Sequence, residues 1–587
     1  MADAAGKRRV HLQASSSSQG LLRPPRASVI DGVGMTPDDY PKVWPKQHSK
    51  SLTVPKTTLW HNLEVAAARY PDKPITLFYD SRLSYREFRG QAERLAGFLQ
   101  QRCGIRKGDR VLLDMQNSPQ FMLAYYAILR ADAVLVPVSP MNVTEELEHY
   151  AVDSGATTAI IAQELYPHFR PLMGRSLTHA IVATYSDQLT APTSLKVPDL
   201  IGASRREILD PGAVGWNDML AAQYAPHASR AQHEDLCAIL YTSGTTGRPK
   251  GCMHTHATLM ATAVGGALWE GMSADSMVLA TAPMFHVTGM QHSLNAPIFC
   301  GASIALLPRW DAEAAAYLIE RYGCTHWANV PTMVVDLLAQ PGTERRDLST
   351  LQNIFGGGAS MPQAVAQKLH ELCGIEYMEA YGMTETISQT HMNPPGNLRK
   401  QCLGIPTFDT ESLVVDPETL APLGPNQQGE IVSRGPQLFK GYWRNPQATE
   451  AAFAEIEGRR FLRTGDLGYY DEDGFFYIAD RLKRMINAAG YKVWPAEVEM
   501  ALYMHPDVKE VAIVSAPDER RGETVKAFVV LRPESRGKVN GEQIVEWARS
   551  HMAAYKVPRQ VEFVDALPRS GTGKIQWRAL QDREWGR

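Results

Sequence analysis

The sequence predicts an α/β protein: a large N-terminal domain of parallel-rich sheets packed with helices, followed by a small α+β C-terminal domain. Three observations predict it. Short apolar strands alternate with amphipathic helices along most of the chain, the pattern of parallel sheets covered by helices. Glycine- and hydroxyl-rich loops follow several of those strands, at the strand ends where such sheets bind ligands. Near residue 460 the texture changes to alternating strands around a tight turn, and 587 residues exceed what one hydrophobic core supports.

Taken in order, patterning begins at "TLWHNLEVAAARYPDKPITLFY", a helix followed by a strand. "SYREFRGQAERLAGFLQQRCG" reads as a serine-capped helix ended by Gly104. The strand "DRVLLDMQ", a helix through "PQFMLAYYAILRADA" and the strand "VLVPV" come next. "CAILYT", "SMVLATAP", "SIALLP" and "LQNIFGGG" are each a short apolar strand running into a loop. "RTGDLGYYDEDGFFYIADRLKRMI" holds two alternating segments around "DEDG", a hairpin signal. Asp471 and Asp473 there suit a turn, because the remaining ligands of a calcium loop are missing. The last hundred or so residues carry their own strands ("EVAIVSAP", "VKAFVVLRP", "QVEFVDALP") and helices ("AEVEMALYMH", "GEQIVEWARSHMA").

A hydrophobic content of 44%, a charged content of 21% and a net charge of −3 fit a soluble protein with no electrostatic footprint for nucleic acid. No apolar run is long enough to span a bilayer, so no integral membrane segment is expected. Seven cysteines without recurrent spacing argue against a disulfide framework and for a reducing cytoplasm. The N-terminus, "MADAAGKRRVHLQASSSSQGLLRPPRAS", lacks the apolar core of a secretory signal and reads as a disordered extension.

The most informative stretch is "YTSGTTGRPKG", residues 241–251. A Walker loop needs a hydroxyl residue after its lysine and a helix opening behind it. Here Pro249 precedes Lys250 and glycine follows it, so that reading fails. What remains is a loop rich in donors: the hydroxyls of Thr242, Ser243, Thr245 and Thr246, backbone amides freed by Gly244 and Gly247, and the Lys250 ammonium. Such a set can wrap a polyphosphate. The pair His254 and His256 in "MHTH", taken as helical, would point to different sides and is not read as a metal site.

This loop resembles the signature loop of the AMP-forming adenylating enzymes: acyl-CoA synthetases, the adenylation domains of peptide synthetases and firefly luciferase. Further motifs of that superfamily follow in its order: "PMFHVTG" (283–289), "FGGGAS" (355–360), "EAYGMTET" (379–386), "RTGDLG" (463–468), "DRLKRMI" (480–486), "NAAGYKVWPAEVE" (487–499) and "PRSGTGKI" (568–575). The resemblance covers nearly everything from residue 55 on. It implies ATP, Mg²⁺ and coenzyme A, and a reaction in two halves. A carboxylate attacks the α-phosphorus of ATP to give acyl-adenylate and pyrophosphate, and a thiol then displaces AMP. The expected divisions are residues 1–50 as a flexible N-terminal extension, 51–479 as the ATP- and acyl-binding domain, 480–484 as a hinge, and 485–587 as a mobile lid domain.

The resemblance also implies site residues. Glu385 binds Mg²⁺, with Thr246 as a further metal contact. Thr384 donates its hydroxyl to the α-phosphate, and Tyr381 offers its ring to adenine within the run Glu379, Ala380, Gly382 and Met383. Gly358, Ala359 and Ser360 supply a backbone edge for the base. Asp466 accepts from the ribose hydroxyls, Arg481 is a second ribose contact, and Lys483 is the pivot residue. Lys574, on a glycine-flanked loop, brings its ammonium to the α-phosphate and the acid as an electrostatic catalyst. Gly490 borders the pantetheine channel of coenzyme A, with Arg520, Arg521 and Lys526 as candidates for its phosphates.

Peptide-synthetase adenylation domains usually hold an aspartate after the aromatic residue of the motif that is "PMFHVTG" here. Here His286 follows Phe285, which argues against an amino-acid substrate. Met284, Phe285, Met290 and Gly357 are expected to line an acyl pocket with adaptable walls; ordinary core packing is the alternative. The nearest resemblance is to bacterial medium- or long-chain fatty-acyl-CoA ligases, followed by aryl-CoA ligases. An enzyme loading a carrier protein, an oxidative luciferase-like enzyme and a non-catalytic adenylate-binding module remain open, and a homodimer is allowed.

Overall fold

Four β-sheets organise the chain in the computed structural model, which describes residues 43–242, 249–358, 361–488, 491–518, 522–569 and 575–586. The first has seven strands, in the spatial order Ala213–Gly215, His179–Ala183, Thr158–Ala162, Arg110–Asp114, Val134–Pro137, Leu236–Thr242 and Lys250–Thr255. All neighbours are parallel except the last two, which form an antiparallel pair. The nine-stranded sheet is likewise parallel at its centre, from Asn353–Gly356 through His326–Asn329, Met277–Ala280 and Ser303–Leu306 to Pro74–Phe78. The short apolar strands expected from "CAILYT", "SMVLATAP", "SIALLP" and "LQNIFGGG" are all present in these two sheets.

Helices fill the space between and around the sheets. Helix Pro119–Arg130, "PQFMLAYYAILR", is buried along every residue but the last, which explains why its sequence is apolar on all sides. Helix Tyr85–Gln101 starts at Ser84, whose hydroxyl accepts from Glu87 N while the Glu87 carboxylate returns to Ser84 N. It ends at Gln101, three residues short of Gly104, which takes φ +70° in the connection beyond.

The third sheet is antiparallel and contains the expected hairpin. Strand Arg459–Tyr470 pairs with Phe476–Arg481, and in the turn between them the Asp471 carboxylate accepts from the amides of Asp473 and Phe475. Arg399 pairs with both Asp471 and Asp473, so these acids hold a turn.

The last sheet is built wholly from residues beyond the hairpin: Tyr491–Val493, Ile486–Ala488, Gly522–Leu531, Val508–Asp518 and Gln560–Phe563. From Val511 to Val514 successive residues of strand Val508–Asp518 alternate between its two faces. Val511 and Ile513 join one apolar cluster with helices Pro495–Tyr503 and Gly541–His551, while Ala512 and Val514 join another with Leu567 and Leu580. A sheet covered on both faces can bury its own core, which accounts for a small α+β unit at this end.

The flexible extension drawn over residues 1–50 needs a correction at its end. Trp44 is buried edge-on to Trp269 and Phe408, with centroids 5.4 and 5.8 Å away, and its Nε1 donates to His48 O. Asp409 accepts from Leu52 N at 2.8 Å. Residues 43–50 therefore belong to the packed body, because an aromatic cluster far along the chain holds them; residues 1–42 lie outside the described residues.

Candidate active site

Strands Leu236–Thr242 and Lys250–Thr255 are antiparallel neighbours, and Thr242 is the register partner of Lys250. These two residues stand at the mouths of the donor-rich loop. Ser243, Gly244, Thr245, Thr246 and Gly247 lie outside the described residues. A loop returning as an antiparallel strand has no helix behind it, which is the structural reason the Walker reading fails. Gly251 is required: a Cβ there would lie 2.5 Å from Ile239 Cγ2.

The loop base meets the "EAYGMTET" segment through two contacts. His254 Nε2 donates to Thr384 O at 2.8 Å. The Lys250 ammonium sits 5.1 Å over the Tyr442 ring, whose hydroxyl donates to Glu385 Oε1 at 2.7 Å. His254 lies on a strand and His256 opens the following helix, so the expectation that both stand on one helix was incorrect. Burial lowers both imidazoles to about 4, and they are structural neutral groups.

Thr384 and Glu385 occupy a single 3₁₀ turn, Thr384–Thr386, at the end of strand Met378–Met383. That strand runs parallel to Asn353–Gly356 in the register Phe355↔Met378 and Gly356↔Glu379. Gly357, the next residue, lies against Ala380. A Cβ on Gly357 would come within 2.4 Å of Ala380 O, and Gly358 adopts φ +84°. Ala359 and Ser360 fall outside the described residues. Glu379 differs from expectation. It is buried, and its two carboxylate oxygens accept from Met361 N at 3.0 Å and Cys402 N at 3.2 Å. Its side chain therefore ties two loops together and is not presented to a nucleotide, while burial raises its carboxyl above the ordinary range. Met383 N donates to Thr386 Oγ1, closing the turn.

Asp466 and Arg481 come together from the two strands of the hairpin. They are cross-strand partners, with Arg481 Nε 2.9 Å from Asp466 Oδ1. Tyr381 brings its hydroxyl to the other oxygen of the same carboxylate at 2.7 Å. Burial and that negative charge push the Tyr381 phenol well above its usual value, so it stays a donor. Three motifs separate in sequence thus converge on one carboxylate. Lys483 follows on the 3₁₀ turn Leu482–Arg484. Gly490 lies outside the described residues, as does Lys574, whose loop is closed at its base by the bridge Arg569↔Ile575.

The residues expected to line an acyl pocket divide in two. Met284 and Met290 are fully buried members of the principal apolar core, and Met284 N donates to Asn117 Oδ1, so ordinary packing accounts for both. Phe285 is half-buried against that core, His286 precedes helix Val287–Met290, and Gly357 faces the strand of Tyr381. Lys526 is not available to coenzyme A phosphates: it pairs with Glu562 at 2.9 Å and Glu584 at 2.7 Å. Arg520 and Arg521 are outside the described residues. Sequence reasoning missed Tyr442 and the anchoring part of His254, because neither shows its partner in its local pattern.

Comparison with known proteins agrees with this geometry. The model of the family described as AMP-binding enzyme matches residues 63–443, and that of the AMP-binding enzyme C-terminal domain matches residues 497–574. A long-chain-fatty-acid–CoA ligase of Bacillus subtilis is 34% identical over 92% of this chain and 97% of its own. Among solved structures, the anthranilate CoA ligase AuaEII in complex with anthranoyl-AMP superposes with a TM-score of 0.77 at 27% identity, covering 91% of this chain and 98% of that one. ATP-bound MatB from Rhodopseudomonas palustris gives 0.78 at 26% identity, over 90% and 99% of the two chains. With matches of this length at both ends, the chain belongs to the AMP-binding enzyme family and is an AMP-forming acid–CoA ligase.

Proposed function

We propose that this ligase activates a medium- or long-chain fatty acid as its acyl-adenylate, with release of pyrophosphate, and then passes the acyl group to coenzyme A. The observation that carries the site assignment is the convergence of Tyr381 and Arg481 on Asp466, beside the Thr384–Glu385 turn and the mouth of the 242–250 loop. An acceptor carboxylate flanked by a cation suits ribose hydroxyls, and the glycine edge at 357–358 suits a flat base.

The first half-reaction brings two anions together, so the site must supply positive charge and donors where negative charge accumulates. Lys250 and the amides and hydroxyls of residues 242–247 would hold the β- and γ-phosphates, Thr384 would donate to the α-phosphate, and Lys574 would approach from the lid. The Glu385 carboxylate is a hard oxygen donor of the kind Mg²⁺ takes, with the Tyr442 hydroxyl fixing one of its oxygens, and Thr246 would add a second oxygen. When bound there, the ion would neutralise phosphate charge.

The similarity to the Bacillus subtilis ligase supports a fatty acid, while the likeness to the anthranilate CoA ligase keeps an aryl acid as the second reading. His286 argues against an amino acid. Seven unpaired cysteines fit a reducing cytoplasm, and among the described residues no helix is long and apolar enough to cross a membrane. The test is pyrophosphate release across a panel of saturated, aryl and amino acids, with and without coenzyme A. Release confined to aryl acids would replace the fatty-acid reading, pyrophosphate release with no release of AMP on adding coenzyme A would point to a carrier protein as acceptor, and ADP as product would refute the reaction.

A further inference from the structure

A buried polar chain joins the helical segment behind the acyl motif to the turn that carries Thr384 and Glu385. Helix His256–Trp269 ends at Glu270, and His292 Nδ1 donates to Glu270 Oε1 at 2.5 Å, with side-chain exposures of 2% and 0%. His292 Nε2 lies 3.0 Å from Ser388 Oγ, so the imidazole bridges the Glu270 carboxylate and the Ser388 hydroxyl. His292 stands on the π-helical turn Gln291–Asn295, a local widening found often at functional positions.

The receiving end is strained. Ser388 adopts φ +112° and its neighbour Ile387, which is β-branched, adopts φ +46°. Such backbone persists only where the surroundings enforce it. The enforcement is visible on several sides. Thr386 Oγ1 donates to Ser388 O at 2.7 Å, Ile387 N donates to Thr384 O at 3.1 Å, and His292 Nε2 is hydrogen-bonded to the Ser388 hydroxyl. On the remaining side a Cβ at Gly382 would lie 1.6 Å from Ser388 O, so the turn is pressed against the strand of Tyr381. The order Ser–His–Glu is that of a nucleophilic triad, but Ser388 is buried between Gly382 and His292, which makes its hydroxyl a tether and not an attacking group.

We infer that His292, oriented by Glu270, is a positioning residue for adenylation: through Ser388 it holds the strained turn that aims Thr384 and Glu385 at the phosphates. The inference rests on the roles proposed above for Thr384 and Glu385.

The test measures both half-reactions of the full chain: pyrophosphate release from ATP and a fatty acid, and thioester formation from supplied acyl-adenylate and coenzyme A. Ser388→Ala removes only the tether. The double variant Glu270→Gln/His292→Gln removes the imidazole without leaving a buried carboxylate unpaired. Both should lower kcat for pyrophosphate release by about 10- to 100-fold, as displacement of a positioned group does. The KM for the acid and the rate of thioester formation should each change by less than about two-fold. Glu385→Gln is run in parallel. If it abolishes adenylation while the tether variants leave the ratio of the two half-reactions unchanged, the tether is overturned. If Glu385→Gln leaves adenylation intact, the site assignment itself falls, and the tether with it.

Discussion

Asp466 and Arg481 face each other across one rung of the hairpin, guanidinium Nε to carboxylate Oδ1 at 2.9 Å, and Tyr381 closes on the other carboxylate oxygen. Asp466 is buried while Arg481 remains half-exposed, so the carboxylate is fixed and the guanidinium forms the open side of the pair. Asp466→Ala would remove the carboxylate that accepts from the Tyr381 hydroxyl, a loss of about 1–2 kcal/mol in stability. It should also raise the KM for ATP by about ten-fold or more, the scale of one lost charge-assisted contact. Denaturant melts and pyrophosphate release read the two effects separately, and an unchanged KM would remove Asp466 from the nucleotide site.

Tyr442 is the link between the loop base and Glu385. Tyr442→Phe keeps the ring under Lys250 and deletes only the hydroxyl that donates to Glu385. A hydrogen bond to a charged group contributes about 1.5–3 kcal/mol, so adenylation should fall by about ten-fold with little change in melting temperature. A variant as active as the parent would show that Glu385 is placed without this bond.

Lys574 is expected to act in one half-reaction. Lys574→Ala should abolish acyl-adenylate formation while thioester synthesis from supplied acyl-adenylate continues, because its ammonium would be needed only where two anions meet. Equal loss in both assays would refute that role.

His254 carries a pH signature. Burial holds its imidazole at about 4, below the ordinary 6.5 of an unfolded chain. Above pH 6.5 both states are neutral and its full contribution is present. As pH falls from 6.5 towards 4, the unfolded state binds a proton that the native state refuses, and stability is lost, on the order of 3 kcal/mol for this residue. His254→Gln retains a donor for Thr384 O and cannot titrate. Its unfolding free energy should therefore decline less steeply than that of the parent between pH 6.5 and 4. Parallel pH profiles would overturn this assignment.

Much of the fold was legible in the chain itself. The strand "CAILYT", the serine N-cap of helix Tyr85–Gln101 and the turn at "DEDG" rest on side-chain period and turn chemistry, which act over a few residues. The candidate site was legible as a set of motifs for the same reason: glycines, hydroxyls and a lysine at close spacing are a local pattern, readable as a candidate phosphate loop.

Amino-acid order alone determined the α/β architecture, the hairpin and the types of group at the nucleotide site. Only the tertiary structure decided which of those groups meet. Glu379 read as a nucleotide contact, and its side chain holds the amides of Met361 and Cys402; Met284 and Met290 read as pocket walls or core packing, and both are buried in the principal apolar core. His254 with Thr384, Tyr442 with Glu385 and His292 with Ser388 are separated by 130, 57 and 96 positions. Pairings at such range leave no local pattern; they form because burying the surrounding apolar faces forces the polar groups among them to find partners.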